Sequence, residues 1–208
     1  VGLGKIDLRE NKLPAARNRL QAIVDRDGKN TDAMIALAEL AAIERNETLY
    51  LGWLDKAIRA KPAAFGPRAL LAEHHLSKGE PQKALSIARE AFAGRPDSPE
   101  ALELLGRVQL AAGEKDNAFA TYTKLVSLAP RSARAHYGLA QAHAAKGEEK
   151  ATRSALQQAL KLDPAHSDSL TALSNLEIRT GNHAEALRLA RELQGRLPTR
   201  VELQPLTE

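Results

Sequence analysis

Apolar residues in this chain come in pairs three apart, and the pairs themselves recur: Leu20 with Ile23, Leu54 with Ala57, Ala88 with Ala91, Tyr122 with Leu125, Leu156 with Ala159 and Ala190 with Leu193. Each pair stands 34 residues from the next. Spacings of three and four put side chains on one face of an α-helix, whereas a strand needs strict alternation, so these positions predict one amphipathic helix in every period. A second column couples a bulky residue to a tiny one: Leu3-Gly4, Leu37-Ala38, Leu71-Ala72, Leu105-Gly106, Leu139-Ala140 and Leu173-Ser174. The bulky member fills a helix interface and the small one lets a partner backbone come close. Two apolar columns per period predict two helices per period and an all-α chain.

The punctuation supplies the register. Pro62, Pro96, Pro130, Pro164 and Pro198 are 34 apart without insertion, and Gly79, Gly113, Gly147 and Gly181 each precede one of the last four prolines by 17 residues. Glycine at the half-period suits a first helix that ends in a left-handed residue. Proline stops the second helix because it cannot donate the next backbone hydrogen bond. With the proline at position 32, the units are an N-terminally clipped one at 1–30, an irregular one at 31–64, then 65–98, 99–132, 133–166 and 167–200, with 201–208 opening a broken further unit. Position 20 is Ala16, Ala84, Ala118 and Ala186 in four of them. The 31–64 unit departs most: Arg45 stands at the turn glycine and Tyr50 at the small alanine, with Gly52 two residues on, which predicts a reshaped turn and locally splayed helices. Thr152 is a milder change, and Asn11 at the first turn suits the left-handed conformation.

The combination of bulky-small at positions 7 and 8, Gly at 15, Ala at 20 and Pro at 32 resembles the tetratricopeptide repeat over essentially the whole chain. The resemblance implies an α-solenoid of stacked antiparallel helix pairs wound into a right-handed superhelix, with the first helices lining its concave wall. More narrowly, the stretch Tyr50-Leu-Gly-Trp-Leu-Asp-Lys-Ala-Ile-Arg and the stretch from Ala101 to Gly113 resemble tetratricopeptide proteins of bacterial PEP-CTERM and exosortase systems. That implies a secreted, lipid-anchored periplasmic protein tied to exopolysaccharide production and protein sorting. Without it, the cytoplasm is the default compartment.

Composition removes most other functions. The 208 residues include no cysteine, which excludes disulfides, thiolate metal sites and a cysteine nucleophile. A net charge of +4 invites a nucleic-acid reading, but unit by unit the net charge stays between −2 and +3 with both signs interleaved, and aromatics are only 3%. No nucleic-acid partner is expected, and no apolar run is long enough for membrane insertion of this stretch. The histidines are scattered: His136 and His143 are seven residues apart on one first helix, roughly 10 Å by the rise per residue, too far to share a metal. His74 and His75 are adjacent and diverge, His166 falls in a linker, and His183 begins a second helix. Ser98, Ser132 and Ser167 fall at helix starts, where capping explains them. Val-Gly-Leu-Gly-Lys at the start is half a phosphate loop and lacks its ending. The reading is therefore non-enzymatic, with no cofactor and no metal.

What remains is recognition. Positions 2, 5, 9, 12 and 13 would face the concave groove, and they hold Lys5, Leu8 and Arg9; Asp32, Ile35 and Glu39; Glu73 and Leu76; Glu100, Glu103, Arg107 and Leu110; Arg134, Tyr137 and Gln141; and Asp168, Asn175, Ile178 and Arg179. Mixed charge with a few apolar anchors suits a protein or peptide segment of mixed charge; the alternative use of these residues is only to keep an exposed wall solvated. The chaperone-tail clamp known in the family needs Asn after its first Lys, and here Lys5 is followed by Arg9, while Asn175 is preceded by Thr171. A polysaccharide-associated module is the other reading, for which only Tyr137 is placed to stack on a sugar. Trp53 is expected to pack, with a loss of roughly 3–5 kcal/mol on truncation. Val1 falls inside a first helix and Pro205 interrupts the last one, so the chain reads as a window on a longer array whose exposed end faces would associate weakly end to end. The alternative is that the polar last helix, with Arg188, Arg191, Glu192 and Arg196, caps its own end.

Overall fold

The computed structural model describes residues 13–195. Lys5, Leu8, Arg9, Asn11, Arg196, Pro198 and Pro205 lie outside the described residues, as do the two chain ends on which the self-association expectation rests. Eleven helices run through the described residues: α1 (Leu13–Arg26), α2 (Thr31–Ile43), α3 (Glu47–Ala60), α4 (Phe65–Ser77), α5 (Pro81–Ala93), α6 (Pro99–Ala111), α7 (Lys115–Leu128), α8 (Ala133–Ala145), α9 (Glu149–Leu162), α10 (Ser167–Arg179) and α11 (His183–Gln194). No strand occurs among the described residues. The chain divides within α7 into two compact units, residues 13–121 and 122–195.

In the first unit each helix packs on the next from α1 to α6, and α4 also touches α2 on one side and α6 on the other. In the second, α8 packs on α9, α9 on α10 and α10 on α11. Small residues make this closeness possible: Ala38, Ala72 and Ala140 of the bulky-small column are buried, with Leu37, Leu105 and Leu173 beside them. Leu20, Val24, Met34, Leu37 and Leu40 form one cluster of the first unit, and Leu85, Ala88, Leu104, Leu105 and Val108 another. Leu156, Leu170, Leu173, Leu176 and Leu189 form the core of the second. Trp53 lies half-buried against the first cluster, as expected of a packed residue, with the Lys56 ammonium 4.8 Å above its ring. Gly138 in α8 has no room for a side chain: an added Cβ would lie 2.1 Å from Cε1 of Tyr122, whose ring is itself buried.

Helix starts follow side-chain chemistry. Asn30, Asn46, Ser98 and Ser132 accept from the backbone N–H three residues on, each bond contributing about 1 kcal/mol. Ser167 is not a cap. His166 takes that place, its ring Nδ1 accepting from Ser169 N at 3.2 Å, so the residue read as a linker histidine is the one that starts α10.

Helix ends follow the glycine column, with φ of 71°, 80°, 78° and 78° at Gly79, Gly113, Gly147 and Gly181. The 31–64 unit does not reshape its turn. Arg45 adopts the same left-handed backbone at φ 56°, and Asn46 N bonds Ala41 O at 2.8 Å as Glu80 N bonds His75 O at 2.9 Å and Glu114 N bonds Gln109 O at 2.8 Å. The closing hydrogen bonds and the packing of α2 on α3 outweigh the roughly 1–2 kcal/mol that a Cβ costs there. Nor does Tyr50 splay the pair: α2 and α3 pack as closely as the other hairpins, and the Tyr50 ring is half-buried with its hydroxyl donating to Leu70 O of α4 at 3.3 Å.

One column escaped the sequence reading. Position 11 holds His75, Gln109, His143 and Glu177, all at the last turn of a first helix. His75 Nδ1 lies 2.6 Å from Glu80 Oε2, and His143 Nδ1 lies 2.5 Å from Glu148 Oε2. Gln109 accepts from Thr121 Oγ1 at 2.7 Å. Glu177 is a carboxylate with only 2% of its side chain exposed, held by Arg153 Nε at 2.5 Å and Asn182 Nδ2 at 3.0 Å. The guanidinium of Arg153 and then the Asn182 amide hold its carboxyl below the usual carboxylate range, against the upward push of burial.

Candidate functional site

The first-helix wall of the first unit is formed by α2, α4 and α6. Glu73 and Arg107, both at position 9 of their helices, meet across α4 and α6 at 2.7 Å, so two expected groove residues pair with each other. Glu39 occupies the same position on α2 and is exposed. Burial, then the charges of Glu73 and Glu39, raises the Tyr50 hydroxyl pKa. Ile35 is half-buried, its Cδ1 3.3 Å from where a Cβ on Gly66 would stand, so it packs against the start of α4. Glu103 is half-buried on α6.

Between α2 and α4, floored by the first turn of α3, lies an open depression of ≈410 Å³. Its lining includes Arg45, Asn46, Glu47, Tyr50, Glu73, His74, Ser77 and Lys78. Glu47 is bound by Lys78 Nζ at 2.7 Å and His74 Nε2 at 3.0 Å, and Lys78, then His74, lower its pKa. Of this set only Glu73 stood among the expected groove residues. The missed signal was the irregular unit itself, whose unusual Arg45 and Tyr50 both line the depression.

The second unit repeats the arrangement at the seam of α8 and α10. Tyr137, Gln141, Asn175 and Arg179, four expected groove residues from two successive first helices, converge on a depression of ≈120 Å³. Ala140, Leu156, Ala172 and Leu176 give it an apolar floor, and Thr152 stands beside them. Gln141 Nε2 donates to the Tyr137 hydroxyl at 3.1 Å, and the Tyr137 ring lies 5.3 Å from that of His166. Burial, then the nearby Asp168 charge, raises the Tyr137 hydroxyl pKa. Arg179 is 3.6 Å from Glu149 and largely exposed. Arg134 is exposed on the first turn of α8 and does not line this depression. Both depressions occur where position 20 departs from alanine, at Tyr50 and Thr152.

His136 Nε2 sits 3.0 Å from Pro130 O, and no group of three or more His, Asp or Glu among the described residues is arranged to hold a metal ion. No helix among the described residues is long and apolar enough to cross a membrane.

Comparison with known proteins agrees with the repeat architecture. The family model described as tetratricopeptide repeat matches residues 1–65, 70–132 and 152–200, and a second model of the same description matches 133–166. A 110-residue stretch is 31% identical to cellulose synthase operon protein C of Pseudomonas fluorescens (strain SBW25), covering 52% of this chain and 8% of that protein. Among solved structures, the type IV pilus biogenesis factor PilW superposes with a TM-score of 0.77 at 18% identity, over 98% of this chain and 94% of that one. YrrB, described as a TPR protein with an unusual peptide-binding site, superposes with a TM-score of 0.64 at 19% identity, over 83% of this chain and 89% of that one. At these identities the structural likeness concerns the fold.

Proposed function

The chain belongs to the tetratricopeptide repeat family, and from that premise we propose that it is a non-catalytic scaffold that holds a peptide segment of a partner protein along its first-helix walls. The observation that carries the proposal is the convergence of Tyr137, Gln141, Asn175 and Arg179 over an apolar floor. An apolar socket of ≈120 Å³ suits one aliphatic side chain, the Asn175 amide suits the donor and acceptor of a peptide group, and Arg179 suits an acidic neighbour. In the first unit, Glu39, Glu73, Glu103 and Arg107 present the mixed charge that a segment of both signs would complement, with Ile35 at their edge. Arg134 adds a positive charge at the first turn of α8. The 34-residue units 31–64, 65–98, 99–132, 133–166 and 167–200 are on this reading the increments by which the partner is read.

The setting we propose is the bacterial envelope, in an exopolysaccharide system with PEP-CTERM protein sorting. The match to a stretch of cellulose synthase operon protein C supports the polysaccharide side of that setting. The same match favours one second reading, a module that binds the polysaccharide directly, with Tyr137 as its stacking ring.

A peptide array and a glycan array probed in parallel with the labelled protein separate the two. Peptide capture that is lost in the Asn175→Ala/Arg179→Ala variant supports the scaffold. Capture of glycans alone overturns it.

A further inference from the structure

The depression at the α2 and α4 seam holds a charge that the fold does not use. Glu47 is bound by Lys78 and His74, Ser77 Oγ donates to His74 O at 2.7 Å, and Glu73 is bound by Arg107. Asn46 Oδ1 caps α3 by accepting from Leu49 N at 3.0 Å, leaving its amide N–H₂ over. The Arg45 guanidinium, exposed at the rim, makes no hydrogen bond or ion pair among the described residues. It stands at a left-handed position that four equivalent turns give to glycine. A non-glycine residue there is disfavoured by the backbone, and unlike Asn or Asp an arginine gains no local compensation. An unpaired cation, kept on a strained backbone at the mouth of a ≈410 Å³ depression, is suited to an incoming anion.

We propose that Arg45, together with the Asn46 amide and Lys78, binds a carboxylate of the peptide partner, either an acidic side chain or a free chain end. This rests on the peptide-binding reading above and adds a second, charge-selecting contact in the first unit. A planar guanidinium matches a carboxylate with two parallel hydrogen bonds, and the amide beside it supplies a third donor. A uronic-acid sugar would offer the same anion, but a sugar site also needs a free ring face. Here the rings of Tyr50 and His74 lie 5.4 Å apart on each other, and the Tyr50 hydroxyl is bound to Leu70 O.

The test is an NMR titration of the ¹⁵N-labelled protein with four probes: a blocked hexapeptide of alternating Glu and Leu, its Gln isostere, the Gln peptide with a free C-terminal carboxylate, and tetragalacturonate. Expected are shifts at Arg45, Ser77 and Lys78 with the Glu peptide, the free-carboxylate peptide or both, and none with the blocked Gln peptide. Which of the two binds identifies the source of the carboxylate. Arg45→Gly, which restores the glycine of the other turns, is expected to weaken this binding roughly ten-fold or more while leaving the fold intact, and Arg45→Lys to retain part of it. Equal binding by Arg45→Gly, equal binding by the blocked Gln peptide, binding of tetragalacturonate alone, or no response at Arg45 overturns the proposal. Responses at Gln141 and Asn175 that persist without any at Arg45 would sink this contact and leave the scaffold reading standing.

Discussion

Arg45 and the four turn glycines occupy one column of the repeat, so the cost of an arginine there is a measurable difference between equivalent sites. Arg45→Gly removes the left-handed strain and adds back some unfolded-chain freedom, for a net stabilisation of about 0.5–1 kcal/mol in urea unfolding; a loss of stability would show that the arginine supports the turn. Gly138 is the opposite case, because Gly138→Ala drives a methyl into the buried Tyr122 ring. It should cost about 1–3 kcal/mol, and Tyr122→Leu in the same chain should recover part of that loss if the ring is the obstacle. Trp53→Ala should cost about 2 kcal/mol, less than its size alone suggests, because the ring is half-buried. At this scale the sequence was legible wherever a residue repeats every 34 positions. Gly138 shares its column with Gly2, Ala36 and Ala172 but also with Leu70 and Leu104, so the repeat alone does not call for glycine there, and the neighbouring ring does.

Helix boundaries and pairing were legible from proline, glycine and the apolar columns, since each acts through local backbone chemistry. What the apolar pattern hid was the polar column at the last turn of the first helices, where a charge can be buried only because its partner arrives from another helix. Glu177 is the extreme member, joined to Arg153 of α9 and Asn182 beyond its own turn. With its carboxyl held low by Arg153, Glu177 stabilises the folded chain fully above the unfolded carboxylate value of about 4.3. That contribution is lost as pH falls through the lower folded value. Glu177→Gln should therefore cost about 2–3 kcal/mol at pH 7, with the gap from the parent chain closing towards pH 3 in thermal unfolding. A gap constant with pH would mean that packing, and not charge, carries the effect.

For the whole molecule, periodicity placed side chains on first-helix faces but could not say which faces open into a depression. Tyr137, Gln141, Asn175 and Arg179 converge, whereas Ile35 turns into packing and Glu73 is bound to Arg107. Those outcomes depend on how successive helices meet, which no single period records. The central claim is that the wall around Asn175 and Arg179 holds a peptide. Fluorescence anisotropy of an array-selected peptide, measured on the parent chain and on Asn175→Ala/Arg179→Ala, tests it most directly. Both residues are exposed, so the variant should melt within a few degrees of the parent and bind at least roughly ten-fold more weakly. Equal affinity in the two proteins would contradict the account.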